Sequence, residues 1–406
     1  MCAFGRGNCW RKPDLDGSIP FWMYIIGFPL LLGPLVTLHE LGHYLVGRWF
    51  GVGAKAFSIG FGKEIAGWTD SRGTRWKLSA LPLGGYVQFK GDMNPASVPQ
   101  QQGAVEDANF GVATEADLAE EEDRAVAGAP FHQADLWKRA LIVFAGPAMN
   151  ILITLAIFAA FFSILGRPVT ADPEETNVVQ GFAENSVAEA AGIEAGDRIV
   201  AIDGAPVREF GDITDRVVMY PGKDIVLSVE RGGERRTVTV TIGESVETDR
   251  FGNSSKVGRL GIYSSPFEWE RVGVLSSIPL AAEQSVNMMR MMIVGIKQIL
   301  IGDRSVRELG GPVKIAKFSG EQLSLGPIAF VNFVALISLN LAFINLLPIP
   351  ALDGGHLAFY AAEAVRRKPV GPRGQEVAYR TGMALVLMLM IFVTINDLVS
   401  LPIFGS

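Results

Sequence analysis

The chain has 406 residues, 49% of them hydrophobic, and its mean hydropathy is positive. This composition is unusually apolar for a soluble protein and favours a membrane protein with more than one structural unit. The net charge of -6 provides no overall basic field, which argues against nucleic acid as a partner. Cys2 and Cys9 are too few for a disulfide framework or a cysteine zinc cluster, so any metal must be held by His and carboxylate side chains.

Four segments are long and apolar enough to cross a bilayer, since a spanning helix needs about 20 predominantly apolar residues. They are residues 17–50, 131–166, 322–356 and 381–403. The last segment is interrupted by Asp397, which makes it the weakest of the four. These segments predict a multi-span α-helical membrane protein with about four transmembrane helices, embedded in a lipid bilayer.

The basic residues beside these segments predict the orientation of the chain, because Lys and Arg are retained on the cytoplasmic side. The first connection carries Lys55 and Lys63, and the stretch before the last span carries Arg366, Arg367 and Lys368. Both connections are therefore expected in the cytoplasm, and the part between the second and third spans is expected outside. The basic N-terminal tail argues for the opposite orientation, but two connections outweigh one tail.

The first connection divides into two parts of different composition. Residues 51–94 alternate apolar and polar residues around glycines, which predicts β-hairpins associated with the membrane. Residues 95–130 change to Ala, Gln and acidic residues, including the run from Glu120 to Asp123. This second part is predicted to be a mobile, solvated acidic insert.

The part between the second and third spans also divides in two. Residues 177–261 alternate β-type runs such as RIVAIDG with the helix-like stretch SVAEAAGI, which predicts a small α+β domain. Residues 267–302 have apolar positions at helical spacing that are interrupted by charged residues. This pattern predicts an amphipathic helix on the membrane surface rather than a fifth span.

The motif HELGH in the first predicted span carries the clearest chemistry. His39 and His43 are four residues apart, so both imidazoles lie on one face of a helix and can bind one zinc ion (Zn2+). Glu40 beside them can accept a proton from the attacking water and pass it to the leaving amine. The alternative is a pair of satisfied core histidines, but ionisable residues inside a membrane span are costly and usually functional.

A catalytic zinc site usually has three protein ligands, so the two histidines require a third. The candidates are His132 in the first connection, and Asp353 and His356 at the end of the third span. Asp353 lies in the run NLLPIPALDGGH, where two prolines and two glycines break the helix. Irregular backbone at membrane depth is tolerated where it lines a cavity, which favours Asp353 as a ligand. The alternative is that its carboxylate caps a following helix.

Five motifs occur in order along the chain: HELGH, SIGFGK, LPLGGYV, GPAMN and NLLPIPALDGGH. Together they resemble the site-2 proteases, which are intramembrane zinc metalloproteases, and specifically the bacterial regulator-of-sigma-E type. The resemblance covers nearly the whole chain and implies that His39, His43 and Asp353 bind zinc while Glu40 is the catalytic acid and base. It also implies that Asn345 contacts the substrate backbone, although a hydrogen bond between spans would equally suit an amide.

Further motifs have two interpretations each. By the same resemblance, Gly84 and Gly85 belong to a hairpin that receives the substrate as an added strand, although turn glycines fit the motif equally well. Asn150 of GPAMN either lines the catalytic cavity or packs between spans. The external α+β domain resembles a PDZ domain of the bacterial protease type, with Gly181 and Phe182 in its peptide-binding loop. Such a domain either binds peptide termini or excludes bulky external domains.

The resemblance implies an enzyme of the bacterial inner membrane with its active site near the cytoplasmic side and its PDZ-like domain outside. Its expected partner is a membrane protein with a single transmembrane segment, from which another protease has already removed most of the external part. The alternatives are a membrane-anchored metallopeptidase of soluble chains and a catalytically silent PDZ scaffold. The presence of both Glu40 and Asp353 argues against the scaffold.

Overall fold

The structure of the protein is a computed structural model that describes residues 20–91, 126–170, 176–248, 254–264, 267–302, 306, 310–368 and 371–399. Most of the predicted acidic insert, residues 95–130, lies outside the described residues, as do the outer ends of the first and last predicted spans. The chain divides into two compact units. The first comprises residues 1–154 and 311–392, and the second comprises residues 155–310 and 393–406.

The helices of the described residues differ widely in length. They are α1 Phe21–Trp49, α2 Leu136–Leu165, α3 Val187–Ala190, α4 Phe210–Val217, α5 Val274–Ile301, α6 Pro312–Ser324, α7 Pro327–Leu346, α8 Asp353–Arg366 and α9 Pro372–Val399. By length and composition, α1, α2, α7 and α9 are apolar enough to cross a membrane. These helices agree with the four predicted spans, while their placement in a membrane stays a prediction.

The third predicted span, 322–356, is not a single helix. The structure divides it into the end of α6, the whole of α7 and the start of α8 at Asp353. Gly326 has a φ of 109°, and Pro327 is the first residue of α7. Glycine accepts this left-handed backbone, and proline fits the first turn of a helix because its missing N–H is not needed there. The Gly-Pro pair therefore ends one helix and begins the next.

The strands of the described residues form several small antiparallel sheets. They are β1 Ala54–Thr69, β2 Arg75–Phe89, β3 Arg167–Thr170, β4 Gly181–Phe182, β5 Arg198–Ile202, β6 Ala205–Pro206, β7 Asp224–Arg231, β8 Glu234–Thr241, β9 Gly243–Thr248, β10 Ser254–Arg259, β11 Ile262–Tyr263 and β12 Phe267–Glu270. The first unit contains the β1–β2 pair, and the remaining strands belong to the second unit.

The β1–β2 pair is long and irregular in register. The N-terminal part of β1 lies opposite the end of β2, with Phe57 facing Val87, and the C-terminal part lies opposite its start, with Trp68 facing Trp76. The connecting turn is held by Asp70, whose side chain accepts the backbone N–H groups of Arg72 and Thr74. The pair follows α1 directly along the chain. Its predicted association with a membrane stays a prediction.

Close approaches at glycines bring the helices of the first unit together. At Gly42 in α1, a side chain would overlap the main chain of Ala145 in α2. At Gly320 in α6, it would overlap Tyr24 in α1. Small residues at helix contacts allow the backbones to approach closely, as is common between the helices of membrane proteins. The contact at Gly42 lies beside His43 and therefore brings α2 next to the HELGH motif.

The second unit contains a four-stranded antiparallel sheet in the order β6-β5-β7-β8, together with α3 and α4. Its core contains fully buried side chains from the central strands, among them Ile199, Leu227 and Val229. This is the α+β composition that the alternating runs of residues 177–261 predict. In the same unit, the buried face of α5 carries Ser277 and Ala281, four residues apart.

Candidate metal centre

Three side chains of the first unit converge on one point: His39 and His43 from α1, and Asp353 from the start of α8. The Nε2 atoms of His39 and His43 lie 3.2 Å apart. Asp353 Oδ2 lies 3.1 Å from Nε2 of His39 and 3.6 Å from Nε2 of His43. Among the described residues, this is the only group of three such side chains whose ligand atoms lie within 4.8 Å of one another.

These residues fit a zinc ion. Both imidazoles are buried, and Asp353 Oδ2 is buried without a well-aligned hydrogen-bond partner among the described residues. Two imidazoles and one carboxylate form the three-ligand set that a catalytic zinc site takes, with a further position left open. Gly146 of α2 lies against the same atoms, and a methyl group there would overlap Nε2 of His43. The absence of a side chain at Gly146 therefore leaves room beside the donor nitrogens.

The irregular segment between α7 and α8 positions Asp353. Helix α7 ends at Leu346, and Ala351 has a φ of 95°, so the backbone turns sharply before α8 begins. Gly354 packs so closely on the carbonyl of Leu347 that a side chain would overlap it. Gly355 packs in the same way on Ile349. The two glycines of LDGG thus allow α8 to start directly beside this segment, as the breaking of the helix at NLLPIPALD predicts.

His43 has a defined second hydrogen bond. Its Nδ1–H donates to the backbone carbonyl of Ile142 in α2, at 2.8 Å. A proton on Nδ1 leaves the lone pair on Nε2, which is the atom that faces Asp353 and His39. The main chain of α2 therefore holds His43 in the tautomer that a metal ligand requires.

Glu40 lies at the same centre but does not belong to the group of three donors. Its carboxylate Oε2 accepts the backbone N–H of Val87 in β2, at 3.1 Å. Val87 pairs with Phe57 on its other side, so this N–H lies at the outer edge of the end of β2. The bond joins α1 to that edge and places a carboxylate between the donor group and the strand.

The donor group opens into a cavity of about 290 Å³. Its walls come from α1, α2, the end of β2, α7, α8 and α9. The lining residues are Val36, His39, Glu40, His43, Val87, Phe89, Phe131, Ile142, Val143, Leu341, Asn345, Ala351, Leu352, Asp353, His356, Tyr360 and Tyr379. The cavity is large enough for a short stretch of extended chain, and polar side chains such as Glu40, Asn345 and Tyr379 line it together with the three donors.

The remaining predicted ligands are separated from the donor group in different ways. His132 is exposed, and its Nδ1 lies 3.0 Å from the carbonyl oxygen of Gly91. His356 lines the cavity and is hydrogen-bonded to the hydroxyl of Tyr379. Neither histidine belongs to the donor group. Of the three candidates for the third ligand, the structure brings only Asp353 to His39 and His43.

The predicted substrate-binding residues lie at three places. Asn345 lines the cavity. Gly84 and Gly85 lie in β2 just before Val87 but do not line the cavity, and at Gly85 a side chain would overlap the carbonyl of Ser58. In the second unit, Gly181 and Phe182 form the short strand β4, which pairs with β11. Their substrate-binding roles stay predictions.

Sequence reasoning missed four residues at this centre. Gly146 belongs to GPAMN, in which the sequence singles out only Asn150, and Tyr360 follows His356 by four residues, a helical spacing that places both on one face of α8. Val87 is the last residue of LPLGGYV, in which only the two glycines have a predicted role. Tyr379 has no signal in the sequence, because α9 reaches the cavity only through tertiary packing.

The chain is similar to known zinc metalloproteases. The sequence profile of peptidase family M50 matches residues 27–389. A zinc metalloprotease of Agrobacterium fabrum is 43% identical over 93% of this chain and 96% of its own length, and one of Rhizobium meliloti is 42% identical over 95% and 97%. The metalloprotease MmpA of Caulobacter vibrioides is 34% identical over 94% and 96%. The chain therefore belongs to peptidase family M50 and is a zinc metalloprotease.

Proposed function

We propose that this zinc metalloprotease hydrolyses a peptide bond within or next to the transmembrane segment of a membrane protein. The supporting observation is where the donors lie along the chain. His39 and His43 are buried in α1, and Asp353 follows α7, and both helices are apolar enough to cross a membrane. A hydrolytic centre carried by such helices acts at the depth of a transmembrane segment rather than in bulk water.

Each residue of the centre has a role in this proposal. His39, His43 and Asp353 hold the zinc, which when bound supplies Lewis-acid polarisation of the scissile carbonyl and activates water. Water adds to the carbonyl carbon while Glu40 takes its proton. The C–N bond then breaks, and Glu40 returns the proton to the leaving amine nitrogen. The Glu40 carboxylate is thus unchanged at the end of each turnover.

The substrate must be extended where it is cut, because helical hydrogen bonds occupy and shield its backbone. β2 pairs with β1 on one side only at its end, and its outer edge beside Val87 lies on the cavity wall. An extended substrate segment can add to this edge as a further strand. Asn345 lines the same cavity and carries a donor and an acceptor suited to a peptide group. Gly84 and Gly85 shape the strand just before this edge.

The proposed setting is the bacterial inner membrane, with the centre near the cytoplasmic side and the PDZ-like domain, residues 177–261, outside. The basic residues beside the spans support this orientation. The substrate is a protein with a single transmembrane segment whose external part another protease has trimmed. The second unit, through Gly181 and Phe182, either binds the new terminus of the trimmed substrate or excludes substrates that are still intact.

The test uses two substrates with the same cleavage sequence in reconstituted vesicles. One carries it within an apolar transmembrane segment, and the other carries it in a soluble, unstructured chain. We expect cleavage of the membrane substrate, mapped by mass spectrometry to the apolar segment. Gly or Pro placed near the cut should speed cleavage and Leu-rich replacements should slow it, because the helix must unwind.

The Glu40→Gln variant is the control for contaminating proteases and should cut neither substrate. Efficient cleavage of the soluble chain, with the membrane substrate left intact, would instead identify a membrane-anchored peptidase of soluble proteins. Rates that are indifferent to helix propensity near the cut would support the same conclusion.

A further inference from the structure

The GPAMN motif of α2, residues 146–150, lies against the donor group. Asn150 is fully buried, and its Nδ2 lies 3.2 Å from Nδ1 of His39. Its Oδ1 is also buried and has no hydrogen-bond partner within the described part of the chain. The amide thus approaches the imidazole on the side away from the other donors.

The backbone of Asn150 is held in place by two hydroxyl groups. Ser338 of α7 donates to its carbonyl at 2.9 Å, and Thr154 donates to the same carbonyl at 3.1 Å. Thr154 also lies 3.1 Å from the carbonyl of Ala335 in α7. These bonds fix α2 at the level of His39 and leave the side-chain amide as the group that meets the imidazole.

We infer that Asn150 is a positioning residue of the metal centre, whose side-chain oxygen accepts the Nδ1–H of His39 and holds that ring with its Nε2 lone pair toward the zinc. This inference rests on the zinc ligands of the proposed function. It gives GPAMN a task in the chemistry of the centre in addition to packing.

His39 can adopt two neutral tautomers, and the orientation of the Asn150 amide determines which of them is hydrogen-bonded. If its Nδ1 accepts from the amide N–H, its proton is on Nε2, and that atom cannot bind a metal. If the amide makes a half-turn, Oδ1 accepts from Nδ1–H, and the Nε2 lone pair is free. The half-turn exchanges two groups of nearly equal size and gives Oδ1 the partner that it lacks. Only this second arrangement is compatible with His39 as a ligand.

Helix α2 provides a hydrogen-bond partner for the Nδ1 atom of each of the two histidines. The main-chain carbonyl of Ile142 accepts from His43, and the side chain of Asn150 meets His39. Gly146 lies midway between them, where a side chain would overlap the donor nitrogens. Residues four apart lie on one face of a helix. This face of α2 therefore carries a hydrogen-bond acceptor at Ile142, no side chain at Gly146, and a second hydrogen-bond acceptor at Asn150. Second hydrogen bonds of this kind orient metal-binding imidazoles.

The experiment measures metal binding by the full-length protein in detergent, independently of proteolysis. Zinc affinity is determined by competition with a chromophoric chelator, and the geometry of the centre by the visible absorption of the cobalt-loaded protein. Asn150→Leu should weaken zinc binding about 10- to 100-fold and shift the cobalt bands. Asn150→Asp should bind zinc as tightly as the wild type or more tightly, because a carboxylate accepts the same hydrogen bond.

Ser163→Ala is the matched control, because it removes a partly buried hydroxyl from the same helix, α2, at a position that makes no contact with Asn150 or His39. It should keep the wild-type affinity and spectrum. An equal loss in Ser163→Ala would assign the effect to helix packing and overturn the inference. Weaker zinc binding by Asn150→Asp would overturn it even if Asn150→Leu does not fold.

His39→Ala separates this inference from the proposed function. Unchanged zinc binding by His39→Ala would overturn the ligand set and the inference with it. Loss of zinc in His39→Ala, together with wild-type affinity in Asn150→Leu, would overturn only the role of Asn150.

Discussion

At the scale of single residues, the proposed mechanism assigns metal binding and proton transfer to different side chains. His39, His43 and Asp353 point at one another, whereas Glu40 is hydrogen-bonded to Val87 at the strand edge. A residue held apart from the ligands is able to change its protonation state without losing the metal. This separation makes the roles testable one residue at a time.

Glu40→Gln tests the proton-transfer role. The amide is nearly isosteric but cannot take up a proton, so we expect cleavage to fall about 100- to 10,000-fold with zinc retained. Zinc content is measured by elemental analysis and cleavage with a membrane substrate, side by side with the wild type. Wild-type turnover by this variant would exclude Glu40 as the acid and base.

Asp353→Ala tests the third ligand. Removal of this carboxylate leaves two imidazoles, which are too few for a tight catalytic zinc site, so metal and activity should be lost together. His356→Ala is the matched comparison, because His356 lines the same cavity outside the donor group, and it should retain zinc. The opposite pattern, with zinc lost only in His356→Ala, would show that the histidine is the ligand.

Tyr379 is a third test at this scale. Its hydroxyl is hydrogen-bonded to His356 on the cavity wall. Tyr379→Phe removes only that hydroxyl, so zinc should stay bound while cleavage slows about tenfold, the loss that one hydrogen bond of about 1.4 kcal/mol produces. Unchanged kinetics would show that this hydroxyl has no part in turnover.

These single residues differ in how far the sequence reveals them. The spacing of His39 and His43 by four residues identifies them without any knowledge of the fold, because helical geometry alone places them together. Asp353 can be found because two prolines before it and two glycines after it interrupt an apolar span. Gly146 and Tyr379 are not predictable in this way, since each reaches the centre from another helix through tertiary packing.

At the scale of elements, α2 forms the side of the metal centre on which Gly146 lies against the donor nitrogens of His39 and His43. The helix approaches α1 at Gly42 and the donor nitrogens at Gly146, and Pro147 next to it lacks the N–H that would continue the helical ladder. This close approach depends on the absence of side chains at two positions. The element is therefore sensitive to the smallest possible substitution.

Gly146→Ala tests this sensitivity. The added methyl group would overlap Nε2 of His43, and overpacking of this kind costs about 1–3 kcal/mol. Zinc affinity should fall about tenfold or more. Gly273→Ala is the control, because a methyl group there meets open space. Equal zinc affinity in Gly146→Ala and the wild type would show that the site has room for a side chain.

Element boundaries were harder to predict than element types. The apolar runs identify the helices, but α7 begins at Pro327, after the Gly-Pro break, and α9 begins at Pro372, well before the predicted start at residue 381. The amphipathic start of α9 carries charges that conceal its helical character in a search for apolar runs. The shifting register of β1 and β2 was also beyond prediction, because it depends on which residues of β1 face which part of β2.

At the scale of the whole molecule, the second unit has its own stabilising charges. Asp197 is buried and accepts from Arg231 Nε at 2.6 Å, Arg231 Nη2 at 2.7 Å and the backbone N–H of Glu194 at 2.9 Å. The hydrogen bonds from Arg231 hold the pKa of the Asp197 carboxyl below its ordinary value of 3.8, although burial opposes the shift. The pair joins the ends of β5 and β7.

This pair predicts acid sensitivity in the second unit. Because the folded-state pKa is depressed, the charged carboxylate stabilises the unit above about pH 3.9, and this stabilisation is lost as the pH falls through the folded-state pKa. Amides of β5 and β7 should lose hydrogen-exchange protection below pH 3.9 in the full-length protein, after correction for intrinsic rates. Asp197→Asn should already be less protected at pH 7. A variant with wild-type protection at both pH values would contradict this.

Deletion of residues 177–261 tests the division of labour between the units. None of the donor residues lies in this range, so zinc binding and cleavage of a trimmed substrate should persist. If the domain is a filter, the shortened enzyme should also cut substrates whose external part is intact. If it recruits substrate, trimmed substrates should be cut more slowly, and substitutions at Gly181 or Phe182 should reproduce that effect. Inactivity toward both substrates with zinc still bound would assign the domain to the catalytic architecture.

In the proposed mechanism, the place of Asp353 along the chain also limits when the zinc site can be completed during synthesis. His39 and His43 leave the ribosome early, whereas Asp353 follows only after most of the chain has been made. Until then the nascent protein has two imidazoles and no carboxylate, which is not a complete catalytic zinc site. A half-made copy already inserted by its first helix would therefore be unable to cut neighbouring proteins. Proteolytic activity would arise only once the last helices have been added, which protects the cell from its own unfinished protease.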